Sequence, residues 1–288
     1  MSWFAKLVSS KKSEEPVRTS PPPGPINYEV SKYNQADVSE FTALLCDGYL
    51  LSGSFTLNEI ADFVQNTCKN HPEHVLLATL DDTDQGFYTC GHSIMSNDLN
   101  NTDDYDLSGL PTELFEDGEH CGYLKSKEEF FIRKGNFQKN VTDLSIESLL
   151  KKRWWSGDTE PVPSLLSPKS KSTLSRENRS YVQIVDVENG YEAIAAFPNG
   201  YFADDYDPFE NYTLAKHLFD NFGFKLFGIG SIYLGFMRDD PLDDGTNQKL
   251  AEFIAKLYDN YKDEISHQNL IADLLSSQTV FYIAYADR

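Results

Sequence analysis

An α+β fold in two compact domains, each a mostly antiparallel sheet with helices packed on it, is what this sequence predicts. Three observations carry the prediction. Short apolar runs alternate with segments whose apolar residues recur at helical spacing. A Ser- and Pro-rich stretch, Gly157 to Arg179, separates two such groups and reads as an interdomain linker. Hydrophobic residues make up 40% of the chain, with 16 Tyr and 19 Phe, enough to build real cores.

The chain has 288 residues and a formal charge of −20. Residues 1–26 are a Pro-rich tail with 4 bases and 2 acids, and residues 156–180 are a connector with 4 bases and 3 acids. The two expected domains, residues 27–155 and 181–288, carry net −12 and −11. Between Asn70 and Leu124 there are twelve Asp and Glu and no Lys or Arg. Such a surface repels phosphate backbones, which argues against nucleic-acid binding and favours a basic partner. The same charge also serves solubility.

The tail, residues 9–26, cannot bury enough apolar surface to order itself, so flexibility is expected. Trp3, Phe4, Leu7 and Val8 could form one amphipathic turn, read either as a weak membrane or partner anchor or as a frayed terminus. No secretory leader or membrane-length apolar run is present, so no stable membrane insertion is expected. Four scattered cysteines, Cys46, Cys68, Cys90 and Cys121, suit free thiols in a reducing cytoplasm.

In the first block, Asp37 to Leu51 reads as a helix. Thr56-Leu-Asn-Glu59 is a capping box opening a second helix, with Ile60, Phe63 and Val64 on its apolar face. His74 to Leu80 reads as a strand, Asp81–Gln85 as a turn and Gly86 to Met95 as a return strand. Asn97 to Gly109 is a polar, acidic loop, Glu129 to Arg133 a strand, and Leu144 to Trp154 a helix with a basic end. Trp154-Trp155 would pack a domain seam or stand as an exposed docking spot.

In the second block, Tyr181–Val187 and Tyr191–Phe197 read as a hairpin around Glu188-Asn-Gly190. Asp207-Pro-Phe-Glu210 combines a cap, a first-turn proline and a reciprocal Glu, and Gly223 ends that helix. Phe224–Gly228 and Ile232–Met237 form a second hairpin. Leu250, Phe253, Ile254, Leu257, Tyr258 and Tyr261 mark a further helix, Asn269–Leu275 a short one and Thr279–Ala286 a buried last strand.

Gly190-Tyr-Glu-Ala, Gly200-Tyr-Phe, Asp207-Pro-Phe-Glu and Asn221-Phe-Gly-Phe-Lys-Leu-Phe-Gly-Ile, with the aromatic strand before Asp287, give residues 181–288 a layout that resembles a bacterial family, domain of unknown function 4253. The chain differs from its members at Tyr261-Lys-Asp-Glu, where they carry a Cys-Pro-Asp turn, and at Tyr282-Ile-Ala-Tyr285, where they carry a Trp-rich strand. The resemblance implies a compact α/β unit and no assigned reaction.

Candidate chemistry is sparse. Cys90, His92, His120 and Cys121 are the only cluster of soft ligands. On a strand Cys90 and His92 would share a face, but the spacing is not that of a zinc pair. Asp104–Gly109 and Asp240–Gly245 begin like calcium loops; the first has Phe115 where a bidentate Glu is required, the second Leu242 where an oxygen is. Asp207 and Glu210 are explained by capping, which leaves Asp204 and Asp205 as potential catalytic carboxylates. Gly228-Ile-Gly230 fails as a dinucleotide loop, and no phosphate-binding, nucleophile-elbow or zinc-protease motif is present.

The expected function is therefore a non-enzymatic acidic binding protein of the immunity or inhibitor kind, without a cofactor, meeting a basic protein such as a toxin. Its expected contacts are Asp81, Asp82, Asp84, Asp103, Asp104, Asp106, Glu116, Asp117 and Glu119. The alternative is a hydrolase or transferase using Asp204 and Asp205 in an interdomain cleft.

Overall fold

A computed structural model describes residues 28–34, 43–141, 144–152, 178–258 and 264–286. The expected tail, the turn at Trp3–Val8, Trp154-Trp155 and most of the linker lie outside the described residues.

Seven strands form one sheet: β1 (Tyr28–Tyr33), β2 (Gly48–Gly53), β3 (Val75–Thr79), β6 (Arg179–Val185), β7 (Lys225–Ile229), β8 (Tyr233–Met237) and β9 (Val280–Ala284). Their order is β1-β2-β6-β3-β7-β8-β9. Every neighbouring pair is antiparallel except β3 and β7. A two-residue ribbon, β4 (Phe115–Glu116) with β5 (Glu119–His120), stands apart. The α+β expectation is met by this large, mostly antiparallel sheet. The expectation of two domains with a sheet each is corrected. Strand β6 inserts between β2 and β3, so residues on both sides of the Ser/Pro-rich stretch build one sheet and one hydrophobic core.

The insertion has a steric condition. A Cβ on Gly48 would lie 2.0 Å from the Val182 carbonyl oxygen, so only glycine lets β2 approach β6 there. All five residues of β8 and four of the five in β7 are buried, so both faces of the sheet are covered at its centre.

The helices are α1 (Leu57–Thr67), α2 (Thr83–Ser96), α3 (Phe130–Asn140), α4 (Ile146–Lys151), α5 (Pro208–Phe222), α6 (Asp244–Leu257) and α7 (Glu264–Leu275), with a 3-10 segment over Gly190–Ala196. Thr56 caps α1 through the expected reciprocal box with Glu59. Asp207 caps α5 in the same way, with Pro208 in its first turn and Gly223 left-handed at its end (φ 71°). The hairpin β7–β8 and the strand β9 also fall where the sequence places them.

Four local readings are corrected. The expected helix Asp37–Leu51 gives β2 from Gly48 onward, and Ala43–Asp47 are not helical; residues 37–42 lie outside the described residues. The expected strand Gly86–Met95 is helix α2. Its buried side is Thr83, Gly86, Thr89, Cys90, Ser93 and Ile94, mostly small and polar, so hydrophobic periodicity is faint. The expected strand Glu129–Arg133 is the start of α3, whose buried side includes Arg133 and Asn136. The expected strand Tyr191–Phe197 is the 3-10 segment, capped reciprocally by Asn189 and Glu192.

Candidate partner-binding face

The acidic loop after α2 and the ribbon β4–β5 are both anchored on α3, through its buried polar side chains. Asn136 donates from Nδ2 to the carbonyls of Leu99 (3.2 Å) and Asn101 (2.7 Å), and its Oδ1 accepts from the Tyr105 hydroxyl (3.0 Å). Arg133, fully buried, donates to Asn100 Oδ1 (3.0 Å) and to the Ala43 carbonyl (2.7 Å). Burial pushes its pKa down to about 10, so it remains charged at neutral pH. These buried donors thus reach loop carbonyls and a loop amide oxygen.

The ribbon is held by Glu129, at the start of α3. His120 Nδ1 accepts from the Gly122 amide (3.1 Å), which leaves the proton on Nε2 to be donated to Glu129 Oε1 at 2.6 Å. The other oxygen of Glu129 accepts from the Lys125 amide (2.8 Å). Asp117 and Gly118 turn the ribbon with φ of 51° and 86°, the left-handed pair of a two-residue hairpin.

Six of the nine expected contact residues are therefore carried outward on two tethered elements. Asp103, Asp104 and Asp106 lie on the loop, and Glu116, Asp117 and Glu119 on the ribbon; all six are exposed. Lys139 pairs with Asp104 at 2.9 Å, but both side chains are more than half exposed, so the pair contributes little. Asp106 accepts from the Ser108 amide (3.0 Å), which lowers its pKa and keeps it ionised. Beside them stand two exposed rings the sequence did not single out, Tyr123 and Phe131. Phe131 meets Tyr105 edge-on, with ring centroids 5.8 Å apart.

The other three acids differ. Asp81 is buried and unavailable to a partner; its carboxylate accepts from Ser231 Oγ (2.6 Å) and from the amides of Ile232 (3.0 Å) and Tyr233 (3.1 Å). Burial raises its pKa to about 6. Asp82 caps α2 from a left-handed backbone (φ 30°), accepting from the Gln85 amide, and Asp84 sits half-buried in the first turn.

The outward stripe of α2 runs Tyr88, His92, Met95, toward the acidic loop. His92 lies 4.4 Å from the Tyr88 ring and stacks on Tyr201 at 4.8 Å, and Tyr201 contacts Phe202. Tyr88, Met95, Tyr201 and Phe202 are all exposed. Sequence reading missed this patch because a strand assignment hides a helical stripe, and because Tyr201-Phe202 joins it only in space.

The expected soft-ligand cluster is dispersed. Because α2 is a helix, Cys90 points into the core while His92 faces outward; His120 is engaged by Glu129, and Cys121 lies 3.6 Å from Lys125 Nζ. Among the described residues no three His, Cys, Asp or Glu are grouped to hold a metal. All four cysteines are free thiols. Of the acids before α5, Asp204 is exposed and Asp205 buried, with its carbonyl accepting from Lys152 Nζ (2.7 Å). Asp207 and Glu210 cap the helix and each other, and Lys152 pairs with Glu210 at 2.5 Å. The cleft expected between two domains loses its basis, since β6 and β3 are neighbours in one sheet. Among the described residues no helix is long and apolar enough to cross a membrane.

No family model matches the chain, and the comparisons with curated proteins and with solved structures found no match.

Proposed function

We propose that this chain is an acidic binding protein of the immunity or inhibitor kind, which neutralises a basic protein such as a toxin. One observation carries the reading: six exposed carboxylates ride on a loop and a ribbon that are both tethered to α3 and its cap, with exposed rings at Phe131 on that helix and at Tyr123 just after the ribbon. The carboxylates would attract a cationic partner over a Debye length of ~8–10 Å and speed encounter. The rings would supply the desolvated anchors that charges at a rim do not. Tethering keeps the ordering cost of binding low.

The test is retention of a basic protein on the tagged full-length chain at about 50 mM and about 500 mM salt. Capture is expected at low salt and loss at high salt. Reversal of Asp103, Asp104 and Asp106 to Lys should weaken capture at least tenfold, and Phe131→Ala by about tenfold, ~1.4 kcal/mol. Retention indifferent to both salt and charge reversal would sink the reading.

A further inference from the structure

The parallel neighbours β3 and β7 are laddered only near their carboxyl ends, through Ala78–Gly228 and Thr79–Ile229. Toward their amino ends Val75, Leu76 and Leu77 pair only with β6, and Lys225 and Leu226 only with β8. Where the ladder stops, a cavity of about 290 Å³ opens, bounded also by the end of α1 and by Gly190. That volume is at the lower limit of small-ligand sites.

Its walls are apolar, with Val64, Leu76, Phe219, Phe227 and Met237 among them. Charged and imidazole side chains share that lining with them. In a chain of net charge −20, it brings together Lys225, Arg238, His71 and His74, against Glu188 and Asp239. Asp239 lies 3.8 Å from Lys225 Nζ, and both side chains are more than half exposed, so the pair is loose and water-screened. Arg238 uses one N–H on the Phe222 carbonyl at 3.3 Å, from a guanidinium that offers five. His71 donates to or accepts from the Tyr49 hydroxyl at 2.8 Å. An apolar pocket with basic side chains at its edge suits a molecule with one anionic end and a short apolar body.

We propose that this cavity binds a small amphipathic anion, a carboxylate or phosphate ester whose charged group meets Lys225 and Arg238 while its hydrocarbon body fills the gap between β3 and β7. The site is separate from the acidic face and does not depend on the binding function proposed for it.

The chain carries its own reporter. Cys68 is exposed and lines the cavity, whereas Cys46 and Cys90 are buried and Cys121, partly exposed beside Lys125, is not among the lining residues. Octanoate and phenyl phosphate serve as probes, with octanamide as the neutral control, on the full-length protein. At saturating probe the alkylation of Cys68 by iodoacetamide, read by peptide mass spectrometry, should slow at least fivefold, with Cys121 unchanged. Calorimetry should give saturable binding, and Lys225→Gln with Arg238→Gln should weaken it at least tenfold. Both substitutions are at half- or fully exposed positions. Should that pair fail to fold, Cys68→Trp blocks the mouth from an exposed position and should abolish calorimetric binding. Absence of saturable binding of either anion below about 10 mM, which corresponds to ~3 kcal/mol, would overturn the proposal. So would octanamide binding as tightly as octanoate, or binding undiminished by the variants.

Discussion

Asp81 shows how much a single side chain's role depends on its surroundings. It stands first in the run of acids that directly follows β3, yet it is the internal cap of the β7–β8 turn, accepting from three donors. The turn packs so closely that a Cβ on Gly230 would meet Asp81 Oδ1 at 1.9 Å. Its folded pKa of about 6 lies above the ordinary 3.8. Between those values the folded chain holds a proton that the unfolded chain has released, so this group makes the protein more stable as pH falls from about 6 to about 4. Two pKa units correspond to ~3 kcal/mol. Asp81→Asn should flatten that part of the curve, so the wild type's melting temperature should rise relative to the variant's as pH falls from about 6 to about 4. Asp62 and Glu210, which burial also raises, titrate in both proteins and cancel in the comparison. Parallel curves for wild type and variant would contradict this account.

At the scale of elements, capping was readable and burial of polar faces was not. Thr56 and Asp207 announce their helices because the cap chemistry is local. Asp207→Ala should lower stability by about 1 kcal/mol, read from the urea midpoint. A change under a few tenths would mean the Lys152–Glu210 pair and Pro208 hold that end unaided. Helices α2 and α3 escape a reading by periodicity because their inward sides carry Thr, Ser, Asn and Arg. Of those groups, Arg133 and Asn136 of α3 tether the acidic loop. A Cβ on Gly135 would lie 2.3 Å from the Tyr105 hydroxyl, so Gly135→Ala should unseat Tyr105 while gaining about 1 kcal/mol in helix propensity. Amide exchange over residues 101–110 should then quicken with global stability little changed. Unaltered protection there would show that the loop does not depend on this seat.

For the whole molecule, the position of β6 between β2 and β3 makes one cooperative unit. Residues 1–155 expressed alone lack the strand between β2 and β3, and residues 178–288 alone lack two neighbours of the sheet. Neither fragment should give a cooperative thermal transition, and the full chain should give a single one by circular dichroism. Two independent transitions, or a folded fragment, would restore the two-domain arrangement. The charge also acts at this scale: a chain at −20 repels itself, so moderate salt should raise its melting temperature while it weakens any cationic partner.

What the sequence determined by itself was local: the caps of α1 and α5, the glycine stop at Gly223, the β7–β8 hairpin, and the buried strands β3 and β9. These depend on neighbours within a few residues, and so does the chemistry that signals them. The tertiary structure alone decided that β6 pairs with β2, about 130 residues earlier, since pairing partners at that distance leave no periodic trace. It alone withdrew Asp81 from the surface and brought Tyr201 onto His92, because burial and ring stacking belong to the packed chain and not to any one segment of it.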